Sequence, residues 1–197
     1  QTECLRAMTP IESHEQIVAN FERLATEIDP LRANMYRSFI SHERLRRVLL
    51  SEEEEGAGRT RLDTLVAGDG RLSITYLELT ELAYVEFLGA LVTELDVRGN
   101  SFKSAEQFSL LVNLSSLELA ENPINSVPES LGQLPSLEFL SIAACREVKD
   151  SAEEIAEKLK QSTSLKKFMY CETKFVDDTT AFRDKLGENV RLFPHYL

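Results

Sequence analysis

The chain has 197 residues, with 22 Lys+Arg against 33 Asp+Glu, a net charge of −11. That length fits one domain, or one plus a short appendage, and a 43% hydrophobic content is enough for a packed core, which excludes global disorder. The acidic balance argues against a nucleic-acid binder, which needs a basic surface for phosphates, and no stretch nears the ~18 uninterrupted apolar residues of a membrane span.

Residue 1 is Gln and a helical pattern is under way by residue 11, so the chain reads as a fragment of something longer. Residues 1–50 are expected to be helical. Ile17, Phe21, Leu24 and Ile28 recur at three- and four-residue spacing on one face, with Thr9 or Ser13 as cap. The run stops at Asp29-Pro30, where Asp29 can cap a second helix that Pro30 begins. That helix carries Leu31, Met35, Phe39, Leu45, Val48 and Leu49, making a helical hairpin of the kind that ends an α–α solenoid. Its apolar face exceeds what one helix pair can bury alone.

Residues 51–58, SEEEEGAG, change character abruptly. A four-Glu block repels itself and two glycines lower helical bias, so 51–71 reads as an acidic, Gly-containing linker and the domain boundary. A solvated helix end running into a turn is the alternative.

The remainder, 72–197, contains a repeat. The template L-x-x-L-x-L-x-x-N/C-x-L marks leucine-rich repeats. It aligns with Val92, Leu95, Val97, Asn100 and Phe102, and again with Leu114, Leu117, Leu119, Asn122 and Ile124. A third copy is Leu137, Leu140, Ile142 and Cys145, ending irregularly at Val148. A weaker copy precedes them: Ile74, Leu77 and Leu79, with Leu82 in the Asn slot and Tyr84 last. Another follows, with Leu165, Phe168, Tyr170, Thr173 and Phe175, and Val190-x-Leu192 suggests one more strand. Starts at 74, 92, 114, 137 and 165 give periods of 18, 22, 23 and 28, all but the first within the usual range of about 20–29. The fold class is therefore α/β: a leucine-rich-repeat solenoid with a parallel sheet of five or six strands, preceded by the short helical hairpin.

Each L-x-L is a short strand with alternate side chains inward. The slot residues Asn100 and Asn122 should turn inward onto backbone groups that would otherwise be buried unpaired, with Cys145 a less polar substitute. Leu82 cannot do this, which suits an atypical terminal repeat. On the return side, Val127, Pro128, Leu131 and Leu134 suit an extended or short 3₁₀ path. Ser151 caps a helix over 152–160 with Glu154 completing a capping box, and 178–186 reads as another helix.

No catalytic constellation is present. His14, His42 and His195 have no partner at zinc-ligand spacing and read as surface histidines. GxGxxG, P-loop and GxSxG motifs are absent, and Gly68-Asp69-Gly70 is a turn. Asp177-Asp178 stands where a helix dipole favours negative charge. The three cysteines, Cys4, Cys145 and Cys171, are odd in number and lack CxxC spacing, which suits a reducing compartment rather than a disulfide framework. What remains is surface. The concave strand face is expected to present Glu78, Asp96, Glu118, Ser141 and Met169 in one column, with Glu81, Glu94, Glu121 and Phe139 beside it. Carboxylates on strands about 4.8 Å apart make either a docking surface for a basic partner, anchored near Phe139 and Met169, or a solvated face.

The run NFERLATEIDPLRANMYRSF at 20–39, the Glu-rich break and the repeats ITYLEL, VTELDVRGNSF, LSSLELAENPI and LEFLSIAAC together resemble the C-terminal part of the α subunits of Rab geranylgeranyltransferases. The similarity covers nearly the whole chain, and its specificity rests on 20–39. The resemblance implies a cytoplasmic heterodimer that attaches geranylgeranyl groups to C-terminal cysteines of Rab GTPases. It places the zinc, the lipid pocket and the reacting groups on the β subunit, and implies the β subunit and the Rab escort protein as partners. It implies no catalytic residue, metal or cofactor in this chain, whose repeats would be a non-catalytic protein-interaction scaffold. A free-standing repeat adaptor that grips a basic protein on its acidic concave face is the alternative.

Overall fold

A computed structural model describes residues 41–51 and 60–195. The hairpin expected over 11–40 and the Glu-rich run lie outside the described residues. Within them, six strands pair in parallel in the order β1–β6: Arg71–Ser73, Glu94–Asp96, Ser116–Glu118, Phe139–Ser141, Lys167–Met169 and Arg191–Phe193. The sequence order of the strands is their spatial order, as a solenoid requires. The central residues Leu72, Leu95, Leu117, Leu140, Phe168 and Leu192 stand in register along the sheet. All but Leu192, which is half-buried, are fully inside the core.

The first repeat is displaced from its expected register. Leu72, not Leu77, pairs with Leu95. Leu72, Ile74, Leu77, Leu79 and Leu82 satisfy the spacing in two registers, and the turn at Gly68-Asp69-Gly70 selects between them. Both glycines have positive φ, +100° and +71°, where a side chain would be strained. The Gly70 carbonyl then accepts from Thr93 N (2.7 Å) and Glu94 N (3.0 Å), locking β1 to β2. The first repeat thus spans 23 residues from 69 to 92, and the anomalous period of 18 disappears. Leu77, not Leu82, occupies its slot.

The interval 51–71 is not wholly linker. Thr60 and Asp63 form a capping box that opens helix α1 (Arg61–Val66), whose Leu62 and Leu65 are fully buried. Arg61 N bonds Ser51 O at 3.1 Å, which ties the start of α1 to the residue that follows the helix at 41–50. Residues 41–50 are helical and contribute Leu45 and Leu49 to the same core. Ser41 Oγ accepts from Thr80 N (3.1 Å), and Arg44 bonds Glu78 at 2.9 Å, tying this helix to the first repeat.

The return segments are short in the first three repeats, α2 (Val85–Leu88), a 3₁₀ turn (Glu106–Leu110) and α3 (Glu129–Gly132), and longer in the next two, α4 (Ala152–Leu159) and α5 (Thr179–Leu186). Ser151 and Glu154 form the reciprocal capping box of α4, which buries Ile155, Ala156 and Leu159. Below α5, Phe168, Tyr170, Phe175 and Phe182 pack with ring centroids 4.6–6.3 Å apart. Tyr170 keeps its hydroxyl bonded to Thr179 at 3.0 Å, which such burial demands.

After each strand the chain turns through one left-handed residue: Tyr76, Gly99, Glu121, Ala144 and Glu172, all with φ between +53° and +65°. The next residue fills the slot. Asn100 Oδ1 accepts from Leu77 N and Leu79 N, each at 3.0 Å, while its Nδ2 donates to Ile74 O (2.7 Å) and Val97 O (2.8 Å). Asn122 accepts from Phe102 N and donates to Val97 O and Leu119 O. Cys145 Sγ donates to Leu119 O at 3.3 Å, and burial pushes its thiol pKa up to about 12, against the lowering pull of the Asn122 backbone. Thr173 Oγ1 donates to Tyr170 O and accepts from Phe175 N.

Candidate interaction face

Because strand side chains alternate, two residues of every strand point away from the core. Register places Arg71, Glu94, Ser116, Phe139, Lys167 and Arg191 in one column. The other holds Ser73, Asp96, Glu118, Ser141, Met169 and Phe193. Glu78 and Glu81 are not on this face. They follow the first left-handed turn and meet the helix at 41–50, Glu78 with Arg44 and Glu81 with His42 at 3.4 Å. The first-repeat register is the reason. Glu121 lies at the left-handed turn after β3, at the rim.

The carboxylates that do share the face are held internally. Glu94 pairs with Arg71 across β1 and β2 at 3.2 Å. Asp96 accepts from the Arg98 guanidinium at 2.7 Å and from Arg98 N at 3.1 Å. Glu118 Oε1 accepts from Ala120 N at 3.1 Å, and Ser141 Oγ from Ala143 N at 3.4 Å. The same bond recurs in three repeats: a side chain at the middle column accepts from the amide two residues on. It satisfies an N–H where the strand ladder ends. Desolvation raises the Glu118 pKa, against the lowering pull of its bonds to Ser141 and Ala120. Glu121 accepts from the Tyr76 hydroxyl at 3.0 Å, with the Tyr76 ring lying over Gly99, where any Cβ would collide with it. The acidic ladder is a set of local pairings.

The other half of the face has a different chemistry. Phe139, Met169 and Phe193 are half-buried on β4–β6, and Met169 packs on a floor of small buried residues, Ala120, Ala143 and Cys171. Lys167 and Arg191 stand directly opposite one another, both exposed. Arg191 and Phe193 were missed in the sequence because the sixth strand was legible only as Val190-x-Leu192, and Lys167 because the fifth repeat was read through its apolar positions. Ala120 and Ala143 follow the inward residues Leu119 and Ile142, a position that the repeat template leaves open. A groove of about 540 Å³ runs along the rim past Glu121, Pro123, Ala144 and Glu147, where Arg146 and Glu172 pair at 3.2 Å. Among the described residues, no group of three His, Cys, Asp or Glu side chains could hold a metal ion, and no helix is long and apolar enough to cross a membrane.

No family model matches the chain. Among solved structures it is similar to an internalin from Listeria monocytogenes, at 14% identity and a TM-score of 0.41, over 75% of this chain and 53% of that one. The chain thus spans about half the length of that internalin.

Proposed function

We propose that this chain is a leucine-rich-repeat interaction scaffold, the non-catalytic C-terminal part of the α subunit of a cytoplasmic Rab geranylgeranyltransferase. The observation that carries the reading is the IDPLRANMYRSF run at 28–39, which precedes the Glu-rich break and the repeats. The join between 41–50 and the first repeat, through Leu45, Leu49 and the Arg44–Glu78 pair, supports a solenoid that continues from helices into repeats. In this reading the β subunit supplies zinc, lipid pocket and chemistry, and the partners are that subunit and the Rab escort protein. The free-standing adaptor that grips a basic protein loses ground, because Glu78 and Glu81 leave the face and Glu94 and Asp96 are already paired with arginines.

The test is geranylgeranyl transfer to a Rab substrate by an α subunit that ends in this chain, with β subunit and escort protein present. Deleting 60–197 should leave turnover largely intact. The cut falls at 60 rather than at the sequence-level boundary of 72, because α1 belongs to the repeat core. Complete loss of transfer by a folded deletion would overturn the appendage role. Failure of the undeleted subunit to bind the β subunit would overturn the family assignment.

A further inference from the structure

We infer that the β4–β6 half of the outer strand face is a docking site for an acidic segment of another protein, anchored by an apolar side chain. The inference rests on reading the strand face as an interaction surface, and it reverses the polarity that the sequence suggested. Among the described residues, the acidic groups of the face are engaged: Glu94 with Arg71, Asp96 with Arg98, Glu118 with the Ala120 amide. The nearby acids at its edges are engaged too, Glu138 with Lys166 and Glu172 with Arg146. Lys167 and Arg191 are the exception. They occupy paired register positions on neighbouring strands, about 4.8 Å apart, with no carboxylate bonded to either among the described residues. Like charges placed directly opposite one another destabilise a sheet. In a molecule of net charge −11, that pair is a cationic point with no acidic partner among the described residues.

Apolar surface adjoins it. Phe139 precedes Lys167 in the same column, while Met169 and Phe193 are neighbours in the other, Met169 packing on Ala120, Ala143 and Cys171. Phe139, Met169 and Phe193, each half-buried, therefore present an apolar patch beside the two cations. Two cations beside an apolar patch are complementary to carboxylates flanking a Leu or Phe. Apolar contact supplies most of the affinity of such an arrangement, and charge fixes polarity and register.

The probe is a fluorescein-labelled nonapeptide with a central Leu-Phe among glutamates. Two companions accompany it, one with every Glu replaced by Lys, the other with Leu-Phe replaced by Gly-Gly. Anisotropy is read with the 197-residue chain at physiological ionic strength, where a Debye length of about 8 Å hides most of the molecular charge. The acidic apolar peptide should bind about tenfold more tightly than either companion. Lys167→Glu with Arg191→Glu should abolish that preference. Lys103→Glu with Lys149→Glu makes the same change in net charge elsewhere and should leave it in place. Phe139→Ala should weaken binding without changing the charge preference, circular dichroism confirming that each variant is folded. Absence of binding, preference for the lysine peptide, or equal loss in the Lys103/Lys149 control overturns the proposal. Association with the β subunit is measured separately, so each of those outcomes leaves the prenyltransferase reading standing.

Discussion

Asn122 works as a backbone surrogate: its amide sits at 2% exposure, accepting from Phe102 N and lying within bonding distance of the Val97, Leu119 and Ala120 carbonyls. Asn122→Ala would leave those groups buried and under-bonded, at about 1–3 kcal/mol. Asn113→Ala removes a donation to Gly89 O at an exposed site where water can substitute, and should cost well under half as much. Denaturant melts of the two variants compare them directly. Glu118 makes the converse case, because burial raises its pKa above the ordinary 4.5. The folded state then binds the proton more tightly than the unfolded chain, so stability falls as pH climbs from about 4.5 through the folded value. Glu118→Gln keeps an acceptor for Ala120 N and cannot ionise. Thermal unfolding should therefore show its Tm gaining on the parent between pH 4 and pH 7, and a constant difference would refute the assignment. The slot residues were legible because each departs in polarity from an otherwise apolar template. The role of Asp96 and Glu118 was not, since an acceptor for a nearby amide and a charge offered to a partner have the same sequence.

Elements pack through one residue in particular. Gly132, at the end of α3, faces the backbone of α4, where any Cβ would be driven into the Lys158 carbonyl. Backbone cannot swing aside as a side chain can. Gly132→Ala should push α3 and α4 apart and destabilise the protein by about 1–3 kcal/mol, measured by urea titration. The capping box of α4 was readable in advance, since Ser151 and Glu154 act on their own helix. So was the shape of five of the six strands, whose leucines are local. The first repeat was misplaced for a physical reason: its slot holds Leu77, so the polar marker that dates the other repeats is missing. Asn100 supplies it from the next repeat, by bonding Leu77 N and Leu79 N. That pairing is non-local and leaves no trace in the spacing. The period of 18 was the available warning.

At the scale of the molecule, stability is a sum of repeats and their interfaces, and the ends decide where it can be cut. Leu62 and Leu65 share one core with the first repeat, so a deletion from 72 would cut through β1 and leave α1 without the strand it packs on, whereas one from 60 removes α1 and β1 together. Composition could not show this, because the Glu-rich run looks like a hinge while Thr60 begins a capped helix immediately after it. The unequal return segments carry a last consequence. Neighbouring strands stand about 4.8 Å apart, but two packed α-helices need 8–10 Å between axes. Over β1–β4 the outside holds single turns that fit the narrow spacing. Around β4–β6 it holds two full helices, α4 against α5, so the excess width must be taken up as rotation between repeats. Rotation between repeats is therefore expected to be greater over β4–β6 than over β1–β3.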